Sequence, residues 1–319
     1  MRYNKPADVI CAVGKGNLAP LEALRLLQGD SRSASGRGNT VQPVFTGKNV
    51  ISKRSDDFFR ELDSLIGLKE IKKLAREIHA FAEIQKRREK ERLATEPLVL
   101  HMIFRGNPGT GKTTVARLLG KFFRDLGLLS KGHLVEVERA DLVGEYIGHT
   151  AQKTREQLRK AFGGILFIDE AYSLARGGEK DFGKEAIDCL VKAMEDHKDD
   201  LVLILAGYQT EMADFLKTNP GLRSRFPIHI DFPDYTPQEL LQIAEQMCAQ
   251  RQYRLSQQSR IYLAQVFVPR PGEHYGNART VRNIIERAIR RQALRLILKP
   301  VTTRDELMLI EPADLQEDS

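Results

Sequence analysis

The sequence predicts an α/β domain built on a five-stranded, mostly parallel sheet, followed by a smaller, helical domain. Three observations predict it. Five short apolar runs alternate with helical patterns between residues 98 and 232. A glycine-rich turn follows the first run and leads directly into a helical pattern. After residue 232 the apolar runs stop and only helical periodicity remains. Strands alternating with helices form parallel sheets covered on both faces.

The elements follow in order. APLEALRLL reads as a short helix, and GDSRSASGRGNT, rich in Ser, Gly and Arg, reads as a flexible linker. Residues 1–55 are therefore expected to be an N-terminal appendage and linker. FFRELDSLIGL and KEIKKLAREIHAFAEIQKRREK carry apolar residues at helical spacing, among them Ile71, Leu74, Ile78, Phe81 and Ile84. LVLHMIF (98–104), HLVEVE (133–138), ILFID (165–169), LVLILAG (201–207) and PIHIDF (227–232) read as five strands. Helical patterns separate the first four, and a helical stretch plus a loop precedes the fifth. The near-continuous apolar character of ILFID and LVLILAG suits buried central strands. Residues 56–232 are thus the expected α/β domain. Pro233 and Pro237 punctuate its end. Helical patterns at 236–251, 256–268 and 279–298 make residues 233–319 the expected helical domain.

Composition narrows the class. The chain has 319 residues, enough for two packed domains. Hydrophobic residues are 41% and charged residues 29%, which fits a globular rather than a disordered chain. No apolar run approaches the ~20 residues that span a bilayer. The N-terminal stretch MRYNKPADVICAVGKGN is broken by Gly14 and Lys15, too weak for a secretory signal. Cys11, Cys189 and Cys248 are far apart and form no CxxC pair, so a reduced, cytoplasmic setting is expected, with no zinc site. The net charge of +7 permits an acidic or nucleic-acid partner without demanding one. The densest basic run, KRREKER at 86–92, interleaves acids and reads as a solvated helix face. No aromatic residues alternate with it, so nucleic acid is not the expected partner.

The chemistry is concentrated in a few motifs. Gly106 to Thr113 match GxxxxGK[ST], the P-loop, whose glycines let backbone N–H groups point at phosphate oxygens. The nucleotide-binding residues read here are Asn107, Pro108, Gly109, Thr110, Gly111, Lys112, Thr113 and Thr114. Lys112 supplies a cation for the β- and γ-phosphates, and the Thr113 hydroxyl ligates Mg²⁺. FIDEA ends the third strand in two acids. Asp169 is placed in the Mg²⁺ shell, and Glu170 orients an attacking water. No NKxD stands after a later strand, and NKPAD at 4–8 has the wrong spacing and place, so adenine is expected over guanine. In NPGLRSRFPIHIDFPD, Arg223 and Arg225 precede the fifth strand. Two loop arginines are ordinarily solvated, but behind a P-loop and an acid pair an arginine can complete a phosphoryl-transfer site. In GNARTVRNIIERAIRRQALRL, Val281, Ile285, Ala288 and Ile289 form the buried stripe. Arg279 and Arg282 share a face near the helix start, where cations oppose the helix dipole, which points to a nearby anion.

One further stretch, GEYIGHTAQKT at 144–154, fits neither a core strand nor a helix face. Tyr146 and Ile147 stand between Gly144 and Gly148. The segment could project its bulk outward, or tuck the aromatic against its own domain.

GNPGTGKT, FIDEA, LRSRF and GNAR, in this order on an α/β domain with a helical domain behind it, resemble an AAA+ ATPase. KGHLVEVERADLVGEYIGHTAQKT, GGILFIDEAYSLARGGEKDFGKEAID and NPGLRSRFPIHIDFPDY look like the stage V sporulation protein K group, to which the red-type Rubisco activase is related. The resemblance spans roughly residues 60–312. It implies an AAA+ P-loop domain with a C-terminal lid. It further implies ATP and Mg²⁺ as cofactors, and a homo-oligomeric ring, usually a hexamer, with ATP at subunit interfaces. Arg225 would be the arginine finger, Arg279 the sensor-2 residue, and Ile66 and Gly67 would lie near the adenine. Tyr208 occupies the sensor-1 position, where the wider superfamily commonly has Asn or Thr, a departure from the pattern. Tyr146, backed by Ile147, would be the pore loop that grips a polypeptide. The implied activity is ATP hydrolysis coupled to remodelling of a protein partner, sporulation-related in the leading reading. The alternatives are a Rubisco activase-like remodeller, a nucleic-acid motor, or a nucleotide switch with little turnover.

Overall fold

β1 (Met102–Gly106), β2 (Leu134–Val137), β3 (Ile165–Ile168), β4 (Val202–Gly207) and β5 (Ile228–Phe232) form one sheet in the order β2-β3-β4-β1-β5. Every pairing is parallel, with Met102 opposite both Ile204 and Ile228. The computed structural model describes residues 53–96, 98–146, 148–176, 182–268 and 276–316. The expected helix at APLEALRLL, the linker behind it, Cys11 and Ile147 lie outside them. Residues 51–319 form one compact unit.

Both sheet faces are apolar because both are covered. Met102, Phe104, Ile165, Phe167, Val202 and Ile204 point to one side, into a core shared with α1 (Lys53–Ser64), α2 (Lys69–Lys90) and α3 (Lys112–Leu126). Ile103, Leu166, Ile168, Leu203 and Leu205 point to the other. There they meet α5 (His149–Ala161), α6 (Gly183–Asp196) and α7 (Gln209–Thr218), with α4 (Arg139–Leu142) beside them. Successive residues of one strand thus bury on opposite faces, which is why the strands read as unbroken apolar runs. Each buried Leu, Ile or Phe contributes about 1.5–3 kcal/mol, so these two layers dominate the fold's stability. Phe58 of α1 stacks on Phe122 of α3 at 3.9 Å between centroids, docking the first helix to the core.

In the first strand and in α2, details differ from the sequence reading. The first strand begins at Met102, not Leu98, because the His101 ring takes the place of a backbone partner. Its Nδ1 accepts from the Leu203 N–H at 3.1 Å. The stripe of α2 buries Ile71, Ala75, Ile78 and Ala82, while Ile84 is exposed and Leu74 and Phe81 are only partly buried. The small alanines let the helix lie close. The run 86–92 at the end of α2 is exposed throughout.

A short α8 (Pro220–Arg223) precedes β5. Beyond β5 the chain turns at Thr236, whose hydroxyl caps the N–H of Glu239 while the Glu239 carboxylate accepts from Thr236 N at 2.8 Å. With Pro237 in the first turn, this reciprocal cap starts α9 (Pro237–Gln250). α10 (Gln257–Val266) and α11 (Asn277–Ile297) complete a third core, with Leu240, Leu263, Val281, Ile285 and Ala288 at its centre. Strands do not stop at residue 232, as the periodicity suggests. β6 (Arg254–Leu255) pairs in parallel with β7 (Leu309–Ile310), which follows α12 (Arg304–Met308). The closing turn, α13 (Pro312–Leu315), is held by a bidentate pair between Arg295 and the buried Asp314, at 2.9 and 2.8 Å.

Candidate nucleotide site

A parallel sheet brings the C-terminal ends of its strands to one edge. β1 leaves that edge into the P-loop, β3 leaves it into Asp169 and Glu170, and β4 lies between them and ends at Gly207 and Tyr208. A cavity of about 980 Å³ opens there. Its lining brings together Pro108, Gly109, Gly111, Lys112, Thr113 and Thr114 with Asp169, Glu170 and Arg279.

The P-loop is preformed. Gly111 caps α3 in a left-handed conformation without a side-chain acceptor. The first N–H groups of the helix therefore have no side-chain cap and are placed for an anion. Lys112 Nζ bends back to the carbonyls of Gly106, at 2.7 Å, and Asn107, at 2.9 Å. Its pKa is lowered, chiefly by burial, while Asp169, Asp234 and Glu170 favour the charge and Arg279 opposes it. Asn107 and Thr110 are absent from the lining. Thr110 is buried and its hydroxyl donates to the Asn107 carbonyl at 2.8 Å, so its side chain shapes the loop.

At the end of β3, Asp169 N donates to the Val137 carbonyl at 3.0 Å and continues the ladder for one residue. Glu170 then adopts a left-handed backbone, φ 46° and ψ 44°, and opens a 3-10 turn over Ala171–Ala175. Its N–H donates to Asp169 Oδ1 at 3.0 Å. A non-glycine residue held there costs on the order of 1–3 kcal/mol, and such strain collects at functional sites. The turn reverses the chain and leaves the Glu170 carboxylate exposed beside the cavity.

The lid closes the third side. Gly109 has φ +76°, and a Cβ there would run into the Gly276 carbonyl and lie 3.0 Å from Arg279 N. Only glycine lets the P-loop touch the start of α11 this closely. Ala278 N donates to the Gly109 carbonyl at 3.1 Å. Asn277, fully buried with φ +49°, accepts from Tyr235 N at 3.0 Å and donates to Asp234 Oδ1 at 2.8 Å. Asn107 Nδ2 reaches the same Asp234 carboxylate at 2.9 Å. One acid thereby ties the P-loop to the lid. Arg279 and Arg282, one turn apart on α11, both line the cavity.

Other expected residues lie elsewhere. Ile66 and Gly67 are off the lining. A Cβ on Gly67 would lie 3.4 Å from the Tyr235 ring, whose hydroxyl donates to the Thr110 carbonyl at 3.1 Å. Arg225 precedes β5, at the opposite edge of the sheet. Four strand steps from Ile228 to Phe232, about 13 Å, separate that edge from the P-loop level, where Gly106 pairs with Phe232. Tyr146 is 65% exposed and packs edge-on against its neighbour His149. Gly144, two residues before it, is buried. A Cβ there would lie 2.9 Å from the His149 carbonyl carbon and 3.0 Å from Thr150 N.

Sequence reasoning missed Glu138, Arg139 and Lys153, which also line the cavity. Glu138 and Arg139 follow β2 at the same edge that exposes the acids after β3. That rule, applied to every strand, finds them. Lys153 carries no such signal, since it arrives through the packing of α5 on α4. The Asn277–Asp234 contact joins residues 43 apart and has no spacing to reveal it.

Comparison with known proteins agrees with this architecture. Residues 102–234 match the ATPase family associated with various cellular activities (AAA), and residues 236–319 match the AAA lid domain. The chain is 55% identical over 260 residues to stage V sporulation protein K of Bacillus subtilis, covering 80% of this chain and 81% of that protein. It is 50% identical over 243 residues to Protein CbbX of Cereibacter sphaeroides, covering 75% and 79%. With the chloroplastic ribulose bisphosphate carboxylase/oxygenase activase of Cyanidioschyzon merolae it shares 46% over 264 residues, covering 82% and 89%. A P-loop facing an acid pair at one sheet edge, closed by a helical lid, is what these matches lead one to expect, and the chain belongs to the AAA family as a nucleotide-binding ATP hydrolase.

Proposed function

We propose that this ATPase works as a ring, hexameric as is usual for such enzymes, and couples hydrolysis to remodelling of a protein partner. The observation that carries the reading is a division. The cavity collects Lys112, Asp169, Glu170 and Arg279, whereas Arg225 stands at the other edge of the sheet. An arginine too far from its own site to act there is free to act in a neighbour's. A phosphoryl-transfer arginine contributes about 10³–10⁵ in rate, so the isolated chain would be a slow enzyme.

Within the site, the P-loop backbone and Lys112 hold the phosphates. Glu170 orients the attacking water and takes up its proton. Arg279 binds from the lid and makes closure depend on the nucleotide. Thr113 and Asp169 suit Mg²⁺: one hydroxyl and one carboxylate line the same cavity, and such ions are held by few protein ligands together with substrate phosphates. Among the described residues no cluster of three or more His, Cys, Asp or Glu could hold a metal alone. Bound there, Mg²⁺ would neutralise charge on the phosphate oxygens.

The protein partner would be gripped by Tyr146, the exposed aromatic on the loop before α5, with Ile147 beside it in sequence. Gly144 at that loop's root lines the nucleotide cavity, a short path from nucleotide state to grip. Residues 56–232 and 233–319 would be the two parts that move. We place the protein in the cytoplasm. Among the described residues no helix is long and apolar enough to cross a membrane. A sporulation-related partner comes first, because a relative at 55% identity carries that name. The relative named as a Rubisco activase, at 46%, supports the second reading, in which inhibited Rubisco is the partner.

The test is a pull-down from the source cell with Glu170→Gln and ATP. One protein retained with ATP, and lost when Tyr146→Ala is added, supports the reading. Nucleic acid retained in its place overturns it.

A further inference from the structure

Arg225 does not wave freely at its edge of the sheet. Its Nε donates to Glu195 Oε1 at 3.0 Å, Nη2 donates to the same oxygen, and Nη1 donates to the Gly221 carbonyl at 2.8 Å. A guanidinium has five N–H donors. Three are engaged inside the chain, and one on each terminal nitrogen remains, at the open end of the fork. The group is clamped from two sides with its tip presented outward.

This clamp is not there for stability. The side chains of Arg225 and Glu195 are 35% and 60% exposed. A solitary ion pair that exposed contributes about 0–1 kcal/mol. What the contacts supply is orientation. The backbone under both partners is also fixed. Glu195 follows Met194 in the last turn of α6, and Arg225 precedes the buried Phe226. The buried His101 ring lies 6.0 Å from the Phe226 ring. Met194 and Phe226, the residues next to the pair in sequence, are both buried.

We propose that Glu195 is a positioning residue for hydrolysis in the neighbouring subunit: it aims Arg225 across the interface and never touches nucleotide itself. The inference rests on the reading that Arg225 acts in the neighbour's site. Its chemistry requires the carboxylate to hold one side of the guanidinium while the two remaining N–H groups meet phosphate oxygens. An arginine loose by 1 Å at a transition state loses up to ~10²-fold in rate.

The test uses full-length chain. Glu195→Ala should lower kcat about 10–100-fold, leave KM for ATP within about twofold and leave Tm unchanged, with Glu195→Gln in between. Mixed oligomers locate the effect. Glu195→Ala mixed with Lys112→Ala should recover activity, because Lys112→Ala subunits supply a well-held Arg225 to intact P-loops. Glu195→Ala mixed with Arg225→Ala should recover none. A kcat within twofold of the parent for both Glu195 variants overturns the proposal, as does a raised kcat, which would make Glu195 a restraint. The pair Lys112→Ala with Arg225→Ala tests the underlying reading separately. If that pair recovers activity while Glu195→Ala with Lys112→Ala does not, positioning by Glu195 is wrong and the trans arginine stands. Should neither pair recover, both fall.

Discussion

Replacing Asn277 by Ala should loosen the lid from the P-loop, and the structure sets the size of the effect. Asn277 has φ +49°, a conformation Asn tolerates and Ala resists, at about 1 kcal/mol. Its Oδ1 is the acceptor for Tyr235 N, and leaving that half-buried N–H unpaired costs about 1–2 kcal/mol. Its Nδ2 holds Asp234, which keeps Asn107 as a second partner, so that loss is smaller, about 0.5 kcal/mol. The sum is about 3 kcal/mol. For a chain of this size that lowers Tm by roughly 4–5 °C. Because the contact joins lid to P-loop, nucleotide affinity should fall at least ~10-fold, which needs only about 1.4 kcal/mol of the loss. Thermal unfolding and titration with a fluorescent ATP analogue measure the two effects. Asn277→Gly, which accepts φ +49° without strain, should recover about 1 kcal/mol of the difference. An Asn277→Ala protein with Tm within 1 °C and unchanged affinity would refute the latch.

Three further outcomes are expected. Glu170→Gln should bind ATP normally and hydrolyse it ~10²-fold or more slowly, measured by phosphate release; wild-type turnover removes Glu170 from the water-activating role. Tyr146→Ala should leave basal hydrolysis within about twofold and abolish work on the captured partner; a folded variant that still works on the partner removes Tyr146 from the grip. His101 sets an acid limit on stability. Burial lowers its pKa from 6.5 to about 4, so the folded chain keeps it neutral. Stability is complete above pH 6.5 and declines as pH falls towards 4, by about 2 kcal/mol at pH 5. Chemical unfolding at pH 7 and pH 5 measures this, and His101→Gln, which keeps a donor and an acceptor, should flatten the difference; an unchanged difference would assign the acid loss elsewhere.

Much of the fold was legible because it is written in local patterns. Ile165–Ile168 and Val202–Gly207 bury both faces, so their apolar runs had one sensible reading. The P-loop was legible because every residue it needs is adjacent in sequence, with a strand before and a helix behind. The start of β1 was not, since Leu98–Leu100 are as apolar as the strand itself and only the turn of the His101 ring towards Leu203 ends the ladder. β6 and β7 are two residues each, too short to show a period. Asn277, Asp234 and Tyr235 meet only after the lid folds back. Arg225 stood out as an arginine near a site. Its distance from its own cavity, which decides how it can act, needed the direction of β5.

The central claim is that one chain supplies the P-loop and acids while its neighbour supplies the arginine. Lys112→Ala and Arg225→Ala are each expected to be nearly inactive alone. Steady-state ATPase activity of oligomers assembled from an equal mixture of the two measures the claim most directly. The account predicts activity well above either parent, because interfaces between unlike subunits join an intact P-loop to an intact Arg225. Mixed oligomers no more active than their parents would contradict it.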